Sequence, residues 1–155
     1  MGTTKSKVFH SIMLVDDSES DIELSGNLIK CMQISNEVVK QKSVISAVFY
    51  LQECVQKKVP FPDIIILDMN MPLLDGNDFI EVFDLFEPAI KKNSHLMLLT
   101  SSYDQKRMFT VAENSYIDHV LYKPLCFEQL EKGIDKIKEK RLLRMVNWLN
   151  GFSKN

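Results

Sequence analysis

The chain has 155 residues, 45% hydrophobic and 26% charged, with 19 Lys and Arg against 21 Asp and Glu for a formal net charge of −2. That is the size of one domain with one core, and a near-even charge balance gives no general reason to bind nucleic acid or an acidic membrane surface. No apolar run approaches the roughly 20 residues of a membrane span, so no membrane partner is expected.

Three cysteines, Cys31, Cys54 and Cys126, are odd in number and form no C-x-x-C, which argues against a disulfide framework and a zinc knuckle. His10, His95 and His119 show no metal-ligand spacing. Met1 to Ser6 matches a loose acylation pattern and is read as chance; no secretion signal follows, and a reducing cytoplasm fits the free thiols. Basic charge gathers at the end: residues 131–155 hold seven Lys or Arg against three acids, the pattern of a solvated basic helix face.

In chain order, a first strand runs through Ile12 to Val15 and closes on Asp16 and Asp17. Ser18-x-x-Asp21 resembles a capping box with Asp in place of Glu, opening a helix with Ile22, Ile29 and Met32 on one face. A second strand is predicted over Glu37 to Lys42, and Ser43 caps a helix with Val44, Val48, Leu51 and Val55 inward, stopped by Pro60 and Pro62. The third strand, Ile64 to Leu67, closes on Asp68. Met69 to Gly76 is punctuated by Pro72, Asp75 and Gly76 as a loop with a turn, before a helix marked by Phe79, Val82, Phe83 and Phe86.

The fourth strand, Leu96 to Leu99, closes on Thr100 and Ser101, and Asp104 caps a fourth helix carrying Met108, Val111 and Ala112. The fifth, Ile117 to Tyr122, closes on Lys123-Pro124, and a fifth helix begins near Phe127 with Leu130, Ile134 and Ile137 inward. Five alternations of this kind predict an α/β fold with a parallel sheet. Beyond it, Leu142, Met145, Trp148, Leu149 and Phe152 form an apolar stripe flanked by Arg141 and Arg144, expected to pack on its own domain or else to dock a partner or a second copy.

Parallel strands present their C-terminal ends at one edge, so Asp16, Asp17, Asp68, Thr100 and Lys123 would share it. In the flavodoxin-like strand order 2-1-3-4-5, Asp17 falls beside Asp68 at the switch between strands one and three. Carboxylates so crowded are relieved by a raised pKa or a cation, and hard oxygen donors favour Mg2+. Lys123 can balance a phosphoryl group and the Thr100 hydroxyl can donate to it. Taken singly, each has a plainer reading: helix capping for Asp16 and Asp17, a turn for Asp68, a solvated lysine for Lys123. Their joint order at strand ends favours a phosphoryl-accepting site.

This ordered set resembles the receiver domain of two-component response regulators, of the chemotaxis-regulator type, over about residues 10–138. The resemblance implies a doubly wound (βα)5 fold with Asp68 as phosphoacceptor, Asp17 as direct Mg2+ ligand, Asp16 as a water-mediated ligand and Asn70 adding its backbone carbonyl. Thr100 and Ser101 match the family's switch hydroxyl region, Lys123 its lysine, and Lys123-Pro124 its cis peptide. Asn70 and Ser102 would tune the lifetime of the acyl phosphate. The position three before the lysine, aromatic in many members, is Val120 here; Tyr122, on the same face by strand alternation, is a candidate stand-in.

Implied partners are a histidine kinase or histidine phosphotransfer protein as donor, an unknown downstream protein, and a second copy in a homodimer. The expected organisation is a leader (1–9), the receiver domain (10–138) and a helical extension (139–155), acting as a stand-alone receiver that turns over no external metabolite. An alternative is a phosphorylation-independent adaptor on the same fold, for which Val120 is the hint. A haloacid-dehalogenase-like phosphatase wants a second Asp where Asn70 stands, and a P-loop NTPase wants a G-x-x-x-x-G-K-[ST] that the five glycines do not form.

Overall fold

The computed structural model describes residues 7–101 and 116–152. The predicted fourth helix with its Asp104 cap, Ser102 and the acylation-like Met1 to Ser6 lie outside the described residues.

Five strands, β1 (Phe9–Val15), β2 (Ser35–Gln41), β3 (Ile64–Asp68), β4 (His95–Thr100) and β5 (Ile117–Tyr122), pair in parallel in the order β2-β1-β3-β4-β5. This is the flavodoxin-like order predicted. The described helices are α1 (Glu19–Met32), α2 (Val44–Lys57), α3 (Gly76–Asp84), a single turn α4 (Pro88–Lys91) and α5 (Phe127–Phe152). The central strand β3 is buried along its whole length, because helices cover both faces. Ile65 and Leu67 face a core built with α2 and α3, including Leu51, Phe79 and Phe83, while Ile64 and Ile66 face one built with α1 and α5, including Ile22, Ile29, Leu130 and Ile137.

Local rules place the helix starts. Ser43 Oγ accepts from the Ser46 amide at 3.0 Å, as the sequence predicts. Val44 and Leu51 face inward on α2 as predicted, but Ala47 and Cys54 take the places read for Val48, which is only partly buried, and Val55, which is exposed, since at these two turns the smaller residue one position earlier lies over the sheet. Strand β2 begins at Ser35, two residues before its predicted start, where the buried Ser35 hydroxyl bonds to the Glu37 carbonyl. The turn α4 was not predicted. It is tied down by the buried Lys91, whose Nζ donates to the Asp84 carbonyl at 2.6 Å and lies 4.5 Å from the Tyr116 ring centre.

Helix α5 is one element of 26 residues, with no break where residues 138 and 139 meet. Leu130, Gly133, Ile134 and Ile137 are buried. Beyond Arg141 the expected packing of the stripe on its own domain is corrected: Leu142, Met145, Trp148, Leu149 and Phe152 are all exposed, because the helix has run past the sheet that covered its earlier turns. Two arginines tie these turns to the domain: Arg144 Nη1 donates to the Lys92 carbonyl at 2.6 Å, and Arg141 makes the larger set of contacts. Its Nη2 donates to Asp63 Oδ1 at 2.8 Å, its guanidinium stacks 5.1 Å from the Phe9 ring centre, and its Nε donates to His95 Nε2 at 3.3 Å. On its other side His95 Nδ1 is hydrogen-bonded with Asp118 Oδ2 at 3.0 Å. Lys140 completes the cluster with an ion pair to Asp118.

Candidate functional site

The opposite edge of the sheet gathers the residues that close the strands. Val15 pairs with Leu67, so β1 and β3 end side by side and the following carboxylates converge. Ligand oxygens of Asp16, Asp17 and Asp68 all lie within 4.8 Å of one another, with Asp16 and Asp68 buried and Asp17 exposed.

Asp68 is only 3% exposed. Its Oδ1 accepts the Asn70 amide at 3.1 Å and its Oδ2 lies 3.2 Å from Lys123 Nζ. Burial, and then the neighbouring charge of Asp16, push its pKa above the ordinary carboxylate value, with the Asn70 amide and Lys123 pulling the other way. Asp16 spends Oδ1 on the Ser18 amide at 2.9 Å. Its Oδ2 is 2.9 Å from Lys123 Nζ, an ion pair by distance, but no donor is aimed along a hydrogen-bond direction at this buried oxygen. A buried carboxylate oxygen short of a donor, beside two more carboxylates, is a hard-oxygen donor set of the kind Mg2+ takes. The residues present therefore fit a divalent cation.

Lys123 is the hub. Its Nζ is 2.9 Å from Asp16, 2.9 Å from Asp21 and 3.2 Å from Asp68. Burial works to lower its pKa, but the Asp16 and Asp21 carboxylates outweigh it and hold the ammonium well above the usual lysine value. The Lys123 amide donates to the Thr100 carbonyl at 2.8 Å, and the Lys123–Pro124 peptide is cis.

Thr100 is buried with Oγ1 donating to the Ser101 carbonyl at 3.2 Å, not to Asp68, and Ser101 is exposed. Val120 is partly buried against the α2–α3 core. Tyr122 is 44% exposed, its amide and carbonyl both held by the Gln129 side chain, at 2.7 and 3.2 Å.

The acceptor loop is fastened to the sheet by the Met69 amide donating to the Leu99 carbonyl at 3.0 Å. Asp75, read from the sequence as part of a turn, is the N-cap of α3: its side chain accepts from the Asn77 and Asp78 amides, and Asp78 returns a bond to the Asp75 amide at 2.8 Å. Gly76 must be small, since a Cβ there would sit 2.5 Å from Met69 Sδ. Asp21 is the site residue that sequence reading missed. Its signal was Ser18-x-x-Asp21, read only as a cap. In the structure Ser18 Oγ does accept the Asp21 amide at 3.3 Å, but Asp16 takes the Ser18 amide, leaving the Asp21 carboxylate to Lys123.

A five-stranded parallel sheet with an acid-rich pocket and a lysine at its carboxyl edge defines an α/β protein with an anion- and cation-handling site where the strands end. The response regulator receiver domain model matches residues 12–135, and the chain belongs to that family. It is 27% identical over 142 residues to response regulator Rcp1 of Synechocystis sp., covering 91% of this chain and 86% of that protein. It is 25% identical over 136 residues to the probable methanogenesis regulatory protein FilR2 of Methanothrix harundinacea, covering 83% and 81%. Among solved structures, a two-component response regulator from Cytophaga hutchinsonii superposes with a TM-score of 0.78 at 26% identity, covering 86% of this chain and 99% of that one. As a receiver domain the chain is a module of two-component signalling whose acidic pocket suits a divalent cation. No described helix is long and apolar enough to cross a membrane.

Proposed function

We propose that the chain accepts a phosphoryl group from a phosphohistidine onto Asp68 and signals by protein contact. One observation carries the reading: a buried carboxylate with Oδ1 turned to an amide, Oδ2 turned to Lys123, and two further carboxylates across the β1–β3 boundary. An Asp68 oxygen attacks phosphorus in line; the O–P bond forms as the P–N bond breaks, and the imidazole leaves with that bond's electron pair. Lys123 pairs with the equatorial oxygens, and rotation of Thr100 about χ1 brings its hydroxyl from the Ser101 carbonyl to the phosphoryl group. A bound Mg2+, held by Asp16, Asp17, Asp68 and the Asn70 carbonyl, would neutralise charge on the transferred group. Water later attacks the acyl phosphate and restores Asp68, so no external metabolite is turned over.

The donor in this reading is a histidine kinase or phosphotransfer protein in the cytoplasm. Val120 and Tyr122 lie on the output face, with the exposed Tyr122 ring meeting the downstream protein; unchanged affinity in Tyr122→Ala would remove that role. For the second copy, Leu142, Met145, Leu149 and Phe152 recur at the three- and four-residue spacing of a two-helix seam. Together with Leu143 and Trp148 they leave this side of α5 exposed, an apolar surface that pairing with a second copy would cover. Light scattering of the full chain against one ending at Arg141 tests this: equal oligomeric states count against the seam.

Incubation with Mg2+ and acetyl phosphate, read by intact mass, tests the main reading. A gain of one phosphoryl group in the wild type and none in Asp68→Asn supports it. No gain in the wild type leaves the adaptor reading in its place.

A further inference from the structure

We propose that Asp21 is a positioning residue for phosphoryl transfer: it holds Lys123 Nζ against Asp68 while the other two carboxylates on that ammonium are drawn into the chemistry. The inference rests on the phosphoacceptor reading above and adds a residue to it. Lys123 Nζ has three carboxylates within 3.2 Å: it donates to Asp21 and Asp68 and lies 2.9 Å from Asp16 Oδ2 as an ion pair. Two of those partners cannot stay. Asp68 becomes the nucleophile, and Asp16 contributes to the cation site. Asp21 has neither duty, so its 2.9 Å contact is the one that survives the reaction.

The local structure is arranged for this. Asp21 sits in the first turn of α1, where its amide is capped by Ser18 Oγ at 3.3 Å, which fixes its backbone. The carboxylate would ordinarily close the capping box by accepting the Ser18 amide. Asp16 Oδ1 accepts that amide instead, at 2.9 Å, and the Asp21 side chain is diverted across 102 residues of sequence to Lys123. Lys123 also depresses the Asp21 pKa, which agrees with a standing ion pair although the Asp21 side chain is 43% exposed. Without this anchor a flexible four-carbon stem swings into solvent as soon as Asp16 and Asp68 are occupied, and the phosphoryl oxygens meet a mispositioned cation.

The test compares initial rates of Mg2+-dependent phosphorylation by acetyl phosphate, read by intact mass, in the wild type, Asp21→Ala and Asp21→Asn. Asp21→Ala is expected to be slower by roughly tenfold at saturating Mg2+. Its Mg2+ half-saturation and thermal midpoint stay near wild type, which separates positioning from damage to the pocket. Asp21→Asn keeps an oxygen for the Nζ hydrogen bond and is expected to recover most of the rate. A wild-type or faster rate in Asp21→Ala overturns the proposal, the faster rate meaning that Asp21 withholds the lysine. An Asn variant as slow as Ala overturns it too. No phosphorylation of the wild type defeats the phosphoacceptor reading instead.

Discussion

The backbone amide of Lys123 donates to the Thr100 carbonyl at 2.8 Å, so the lysine and the hydroxyl that flank Asp68 are joined end to end across β4 and β5. Tyr122 is the residue between Lys123 and the rest of β5, so this link is the expected route by which a change at Thr100 reaches it. Thr100→Ala removes the hydroxyl but keeps this link. It should still take up phosphoryl at Asp68, while the change in hydrogen exchange of residues 117–130 on phosphorylation is lost; Thr100→Ser should restore it. The missing bond is worth about 1 kcal/mol, and an unaltered exchange difference in Thr100→Ala contradicts the coupling.

Burial of Asp68, with Asp16 beside it, has a cost in stability when no cation is present. The Asp68 pKa is raised above 3.8 in the fold, so the folded protein holds that proton more tightly, and stability falls as pH rises through the folded value. Asp68→Asn is therefore expected to raise the thermal midpoint at neutral pH in the presence of chelator. Mg2+ should raise the wild-type midpoint, by about 2.7 kcal/mol of stability at a hundred times its dissociation constant, and Asp17→Asn should blunt that rise. A lower metal-free midpoint for Asp68→Asn contradicts the sign.

Gly76 connects the acceptor loop to α3. A methyl group there meets Met69 Sδ at 2.5 Å and the Met69 backbone at 3.1 Å, and Met69 follows Asp68 directly. Gly76→Ala should cost about 1–3 kcal/mol and slow phosphorylation, by shifting the amide of Asn70 that orients Asp68. Denaturant unfolding and intact-mass kinetics measure the two effects; a change in one without the other separates loop packing from site geometry.

At the other edge, the Asp118 carboxyl is 8% exposed. Burial works to raise its pKa, yet bonds from His95 and Lys140 hold it below 3.8. A depressed carboxyl contributes stability that is present above its unfolded value and lost as pH falls through the lower folded one. Asp118→Asn should lower the thermal midpoint at neutral pH and flatten its decline as pH falls below 3.8. Phosphorylation should be unaffected, since the cluster lies at the N-terminal edge of the sheet. An equally steep acid limb in the variant shows that other carboxyls carry it.

Strand ends were legible because they are local: four apolar runs each stop at a polar residue, and parallel topology turns four remote stops into one edge. The helix starts at Ser18 and Ser43 were legible for the same reason. Asp75 was misjudged because Pro72, Asp75 and Gly76 carry turn and cap chemistry alike, and only the Asp78 return bond separates them. The Asp21–Lys123 contact spans 102 residues and leaves no periodic trace. The fate of the stripe from Leu142 to Phe152 also escaped sequence reading, since spacing marks an apolar face but not where the sheet beneath it ends.

The single tryptophan of the chain, Trp148, stands 62% exposed near the far end of α5, its ring 4.5 Å from that of Phe152. Intrinsic fluorescence is consequently a reporter of the helix tip, remote from the chemistry. A spectral response to phosphodonor would register a message that had travelled the length of the protein, and quenching on concentration would register an encounter between tips.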